Sequence, residues 1–150
     1  MADFLLGMNA KIYHGAAAVD PTTLDPATLT EMGNVKDVTL SLEAGQADVT
    51  TRANSGWRAT APTLRECNCE FQMVWKPGDA GFEAVKTAFL SAGTVALAVL
   101  TDAHATVGSE GPVGNWAITN FSRSEPLEEA ITVNVTAQLA AFGSWYKKTA

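Results

Sequence analysis

The chain has 150 residues, 47% of them hydrophobic and 17% charged, with ten basic side chains against sixteen acidic ones. That length supports one domain spanning residues 1–150, and the apolar content with a mean hydropathy of +0.05 excludes wholesale disorder. A formal charge of −6 opposes non-specific binding to phosphate backbones. No apolar run reaches the roughly 18 residues of a membrane span, and no basic region precedes the apolar start at Met1–Leu6, so neither a span nor a secretory signal is expected.

From Phe4 to His14 the even positions Phe4, Leu6, Met8, Ala10 and Ile12 are apolar, the period-two pattern of a half-buried strand. Residues 15–34 break that pattern, with Pro21, Pro26, Gly15 and Gly33 marking a long loop or arm. A structureless loop of about twenty residues is unusual unless it packs against something or carries function. Alternation resumes over Val35–Ala44, where Val38, Leu40 and Leu42 oppose Asp37, Thr39, Ser41 and Glu43, and Gly45-Gln46 reads as a turn. Ala47–Arg52 and Trp57–Ala61 are short β-prone runs joined by residues that accept positive φ, a hairpin. Leu64–Lys76 carries the strongest alternation: Arg65, Cys67, Cys69, Phe71, Met73 and Trp75 on a core face, Glu66, Asn68, Glu70 and Gln72 on a wet one.

Pro77-Gly78 is a turn, Asp79 an N-cap, and Phe82, Val85 and Phe89 recur at helical spacing until Gly93, which predicts one helix over about 79–92 closed by a C′ glycine. Thr94–Thr101 is almost wholly apolar, as in a strand covered on both faces. Gly108–Gly114 supplies a turn, and Asn115–Arg123 and Ala130–Leu139 complete the set. The tally is mainly β: an antiparallel sandwich or barrel of about seven or eight strands with one flanking helix.

Few residues suggest chemistry. Cys67 and Cys69 lie two apart on one strand face, where a disulfide is strained, which favours reduced thiols. They are half of a metal site at most, since His14 and His104 lie in separate segments, and their phase with Phe71 and Trp75 favours core packing over nucleophilic work. Glu66 and Glu70 share a face, as a general acid and base would, but exposed strands produce that spacing readily. Glu128-Glu129 reads as a solvated turn, and no nucleophile-elbow or phosphate-loop motif occurs. No enzyme, cofactor or metal is expected. Trp57 with Arg52 and Arg58 has interface composition, against the alternative of a surface loop holding a core tryptophan.

Several runs carry a family likeness. Asp37–Glu43, Ala47–Arg52 and Gly56–Thr60, then Met73-Val74-Trp75, Gly81–Lys86 with Phe89-Leu90, and Ile118–Arg123 with Glu125–Ala130 resemble the tail tube (major tail) proteins of tailed bacteriophages, over most of residues 35–139. The resemblance implies a sandwich or barrel similar to the type VI secretion tube protein. It also implies hexameric rings stacked into a hollow tube that passes DNA without binding it specifically, in the tail of a virion assembled in a bacterial cytoplasm. Tape-measure, terminator and baseplate proteins are its implied partners, with a sheath if the tail contracts. The long segments 15–34 and 44–58 are then expected to make assembly contacts, with Asp48, Thr51, Arg52, Asn54, Trp57 and Arg58 at the ring-stacking interface. Glu66, Asn68, Glu70 and Gln72, with Thr39, Ser41 and Glu43, are expected to line the lumen, outer solvent being the alternative for a wet face. The competing functions are the tube of a type VI or other contractile injection system, or a non-catalytic β-sandwich binding module.

Overall fold

The computed structural model describes residues 6–17 and 19–149. Its strands are β1 (Lys11–Ala16), β2 (Thr30–Glu31), β3 (Val35–Asp48), β4 (Thr60–Val74), β5 (Thr94–Leu100), β6 (Glu110–Ser124) and β7 (Thr132–Lys147), with one helix, α1 (Ala80–Leu90). All seven strands join one antiparallel sheet in the order β2-β1-β5-β6-β7-β4-β3.

Chain connectivity forces that sheet to roll up. Flat, its outer strands would lie six spacings apart, about 29 Å. Yet β2 ends at Glu31 and β3 begins at Val35, four steps that reach at most about 14 Å. The link is stitched to both ends of the sheet: the Met32 amide donates to the Ile12 carbonyl (2.8 Å), and Val74 donates to the Asn34 carbonyl (3.0 Å). An open, barrel-like single sheet thus decides between the sandwich and barrel expectations.

Helix α1 covers the concave side. Its N-cap Asp79 accepts from the Phe82 amide at 3.1 Å, and Phe82 and Val85 enter a core with Met73, Leu97, Trp116 and Val133. Ala92, not Gly93, takes the left-handed conformation (φ 55°). Gly93 supplies the amide that returns to the Ala88 carbonyl while Ala92 bonds Phe89, a Schellman closure set one residue earlier than the glycine suggests. Strand β5 is covered on both faces as expected: Val95, Leu97 and Val99 face the main core, Ala98 and Leu100 a second one with Tyr13 and Val113.

Within the expected loop 15–34, residues 20–29 are a folded flap over that second core. Asp20-Pro21 and Asp25-Pro26 each open a 3-10 turn, the aspartate accepting from Thr22 and Ala27 amides. Leu24 and Leu29 pack onto the second core, and Gly143 lets the flap cross β7, since a Cβ there would sit 2.3 Å from the Pro21 carbonyl oxygen. The repeated Asp-Pro-x-Thr is a capped-turn signal that the loop reading overlooked.

Several boundaries differ from the sequence reading, among them the start of β4, which runs unbroken from Thr60 where a hairpin strand Trp57–Ala61 and a separate strand from Leu64 are expected. The first strand begins at Lys11, after a 3-10 turn at Gly7–Asn9; Phe4 lies outside the described residues. Gly45-Gln46 is no turn but sits inside β3, opposite a bulge in which Thr63 and Leu64 of β4 face one residue. Glycine fits there because a Cβ would meet Thr63 Oγ1 at 2.5 Å. Strand β6 starts at Glu110 within the expected turn, and β7 continues eight residues past Leu139 to Lys147.

Candidate assembly interface

The in-register pairs Thr39–Glu70, Ser41–Asn68 and Glu43–Glu66 join β3 to β4, and Asn68–Gln138, Glu70–Thr136 and Gln72–Asn134 join β4 to β7. All seven residues expected on a wet face therefore share one face, and each is exposed or half-buried. Strand β6 extends it through Asn120 opposite Thr136 and Ser122 opposite Asn134. Gln72 Nε2 donates to Asn134 Oδ1 at 3.3 Å across it. Glu43, Glu66 and Glu70 are the charges these residues present, with no lysine or arginine among them. The sequence marks Ala130–Leu139 as a strand but not its partner, so Asn134, Thr136 and Gln138 are missed; pairing across more than sixty residues leaves no local signal.

This four-stranded wall has two open edges. Among the described residues, strand β3 pairs only with β4, and β5 pairs with β6 only over Val113–Ala117, so Ile118–Ser124 has its one described ladder on the β7 side. Such edges offer unpaired amides and carbonyls to another strand.

Beyond the wall, β3 and β4 leave the sheet together. The β4–β7 ladder stops at Asn68–Gln138, while β3–β4 continues to Asp48–Thr60 and β7 follows β6 instead. From Leu42 the two strands form an arm about 20 Å long, six residues at about 3.3 Å each, ending in a tip at 49–59. Asp48 Oδ1 accepts the Thr50 amide (2.9 Å), and hydrogen bonds from the Thr50 side chain and then its backbone hold the Asp48 carboxyl below the usual carboxylate range. Asn54 Oδ1 accepts the Thr51 amide (2.7 Å) in a capping box. Ser55 and Gly56 reverse the chain with φ of 52° and 85°. Of the six residues expected at the interface, Asp48, Thr51 and Asn54 thus build the turn. Arg52, Trp57 and Arg58 project from it, Trp57 79% exposed, so the core-tryptophan alternative falls.

Cys67 and Cys69 are buried free thiols, and burial pushes the Cys69 thiol up to about 12, which leaves little nucleophilic thiolate at neutral pH. Arg65, expected on the core face, is exposed because the arm has already left the core at that point. No described helix is long and apolar enough to cross a membrane.

Residues 18–142 match the family model for the phage tail tube protein. No curated protein matches the sequence. Among solved structures, the tail of an empty gene transfer agent particle, refined with helical C6 symmetry, aligns with TM-score 0.72 at 17% identity over 97% of this chain and 100% of that one. The virion of a native gene transfer agent particle gives 0.69 at 17% over 97% and 100%. The SPP1 tail tube, from solid-state NMR and cryo-EM, gives 0.70 at 15% over 98% and 80%. These likenesses establish a shared fold.

Proposed function

The chain belongs to the phage tail tube protein family, as a structural component of the tail, and from that premise we propose that its copies close into hexameric rings that stack into a hollow conduit for DNA. The observation that carries this reading is the four-stranded polar wall with an open edge on each side. Joining the β3 edge of one copy to the β6 edge of the next removes both aggregation-prone edges at once. Such a head-to-tail contact closes into a ring when its rotation permits. The C6 symmetry of the gene transfer agent tail supports six copies per ring.

The wall faces the lumen in this arrangement. Glu70, within the wall and with no lysine or arginine among the wall residues, repels phosphate and lets a polyanion slide rather than stick, while Glu43 and Glu66 stand opposite one another at the end of the wall where the arm begins. The arm at 44–58, with the outward side of the 15–34 flap, bridges rings along the axis. The tube sits in the virion tail after assembly in the host cytoplasm, capped by terminator and baseplate proteins, filled by a tape-measure protein and enclosed by a sheath where the tail contracts.

Negative-stain electron microscopy of the purified protein, paired with light scattering, tests this. Rings or hollow tubes are expected; a species that stays monomeric at every concentration, alone and with its tail partners, contradicts the proposal.

A further inference from the structure

Resting on the stacking reading above, we propose that the arm tip of one copy seats in a cleft on a second copy, at the root of that copy's own arm. The cleft, about 720 Å³, opens where the β3–β4 ribbon parts from β6 and β7. Leu139, Phe142 and Trp145 form one wall, Leu42 and Leu64 the other. Leu42, Leu64, Phe142 and Trp145 are 58%, 87%, 54% and 44% exposed, a contiguous apolar surface that a protein finishing its life as a monomer rarely leaves in water.

The tip has the complementary character. Residues 49–59 carry Arg52 and Arg58 and no carboxylate, in a chain whose net charge is −6, and they expose Trp57 beside them. The cleft lining carries Glu43 and Glu66 against the single Arg65. Those two glutamates stand directly opposite one another in the ladder, a like-charge pair that weakens a sheet. An arginine brought to them relieves that repulsion with charge-assisted hydrogen bonds. Tryptophan and arginine are also the side chains that dominate interface energetics.

The occupant is a second copy because a chain cannot serve its own cleft. The tip lies about 20 Å along the ribbon from Leu42, so it reaches that root only if the β3–β4 ladder breaks. Tip to root is a heterologous contact, and repeated along one axis it propagates without closing, as a stack of rings requires.

The test places one thiol on each side, at exposed positions that leave plug and walls intact. Tubes of the double variant Ala53→Cys, Thr63→Cys are expected to give a covalent ladder of multimers on oxidation, while each single variant gives none; the buried Cys67 and Cys69 do not compete. Trp57→Ala is expected to raise the concentration needed for tubes at least ~30-fold, the equivalent of ~2 kcal/mol, with Trp57→Phe within a few-fold of the parent chain. Tubes that form without a ladder, while both introduced thiols still react with a soluble reagent, overturn the seat and leave stacking intact. Failure of the parent chain to form tubes, alone and with its tail partners, overturns the stacking reading, and the seat with it. Wild-type tube formation by Trp57→Ala overturns the role of the tryptophan.

Discussion

Strands β5 and β3 belong to one sheet and differ in almost everything else. Every residue of β5 after Thr94 is buried, on two faces against two cores, whereas no residue of β3 is fully buried. Burial is concentrated in the first region, while β3 and the arm it builds with β4 leave most of their surface exposed. Substitutions at β5 and its neighbours should therefore unfold the chain, and substitutions in the arm should spare the fold and change assembly.

Two tryptophans sharpen this contrast most. Trp116 is fully buried with Nε1 donating to the Leu97 carbonyl at 3.1 Å, so Trp116→Ala should cost about 3–5 kcal/mol in denaturant unfolding. Trp57→Ala should change the same unfolding curve by less than about 0.5 kcal/mol while suppressing tubes. Equal losses in both variants would erase the distinction. Next in size, Asp79→Ala removes the α1 cap and should cost about 1 kcal/mol, read as a lower denaturant midpoint with unchanged slope.

A smaller, pH-dependent effect belongs to His14, buried on β1 beside Gly81. Burial lowers its pKa below 6.5, with Asp79 partly opposing. The unfolded chain then binds the proton more readily than the folded one, so stability should fall as pH drops below about 6.5 and stay flat above it. A His14→Gln chain should lose that portion of the acid slope. Smallest is Ala92→Gly, which relieves a left-handed alanine at the helix end and should stabilise by up to about 1 kcal/mol in thermal unfolding. A destabilised glycine variant would mean that the strain is not at φ.

How legible each region was in the sequence follows the same divide. The continuous apolar run of β5, the spacing of Phe82 and Val85 and the alternation from Cys67 to Met73 identified the covered half, because burial leaves a periodic mark. The arm was harder. Gly45 resembles a turn residue, yet it is there to let Thr63 approach, and only the pairing across β3 and β4 reveals this. Ala140-Ala141-Phe142-Gly143 lacks alternation because β6 and β7 shift register beside it at Val113/Gly114 and Asn115/Trp116, so the end of β7 passed for a tail. The wet-face residues were legible strand by strand, but their union into one wall depends on partners distant in sequence.

The central claim is that this wall lines a tube. A cryo-EM reconstruction of assembled tubes tests it most directly: Thr39, Asn68, Glu70 and Thr136 should face the lumen, with the β3 edge of each copy bonded to the β6 edge of the next. Finding those side chains on the outer surface, or the two edges unpaired between copies, would contradict it.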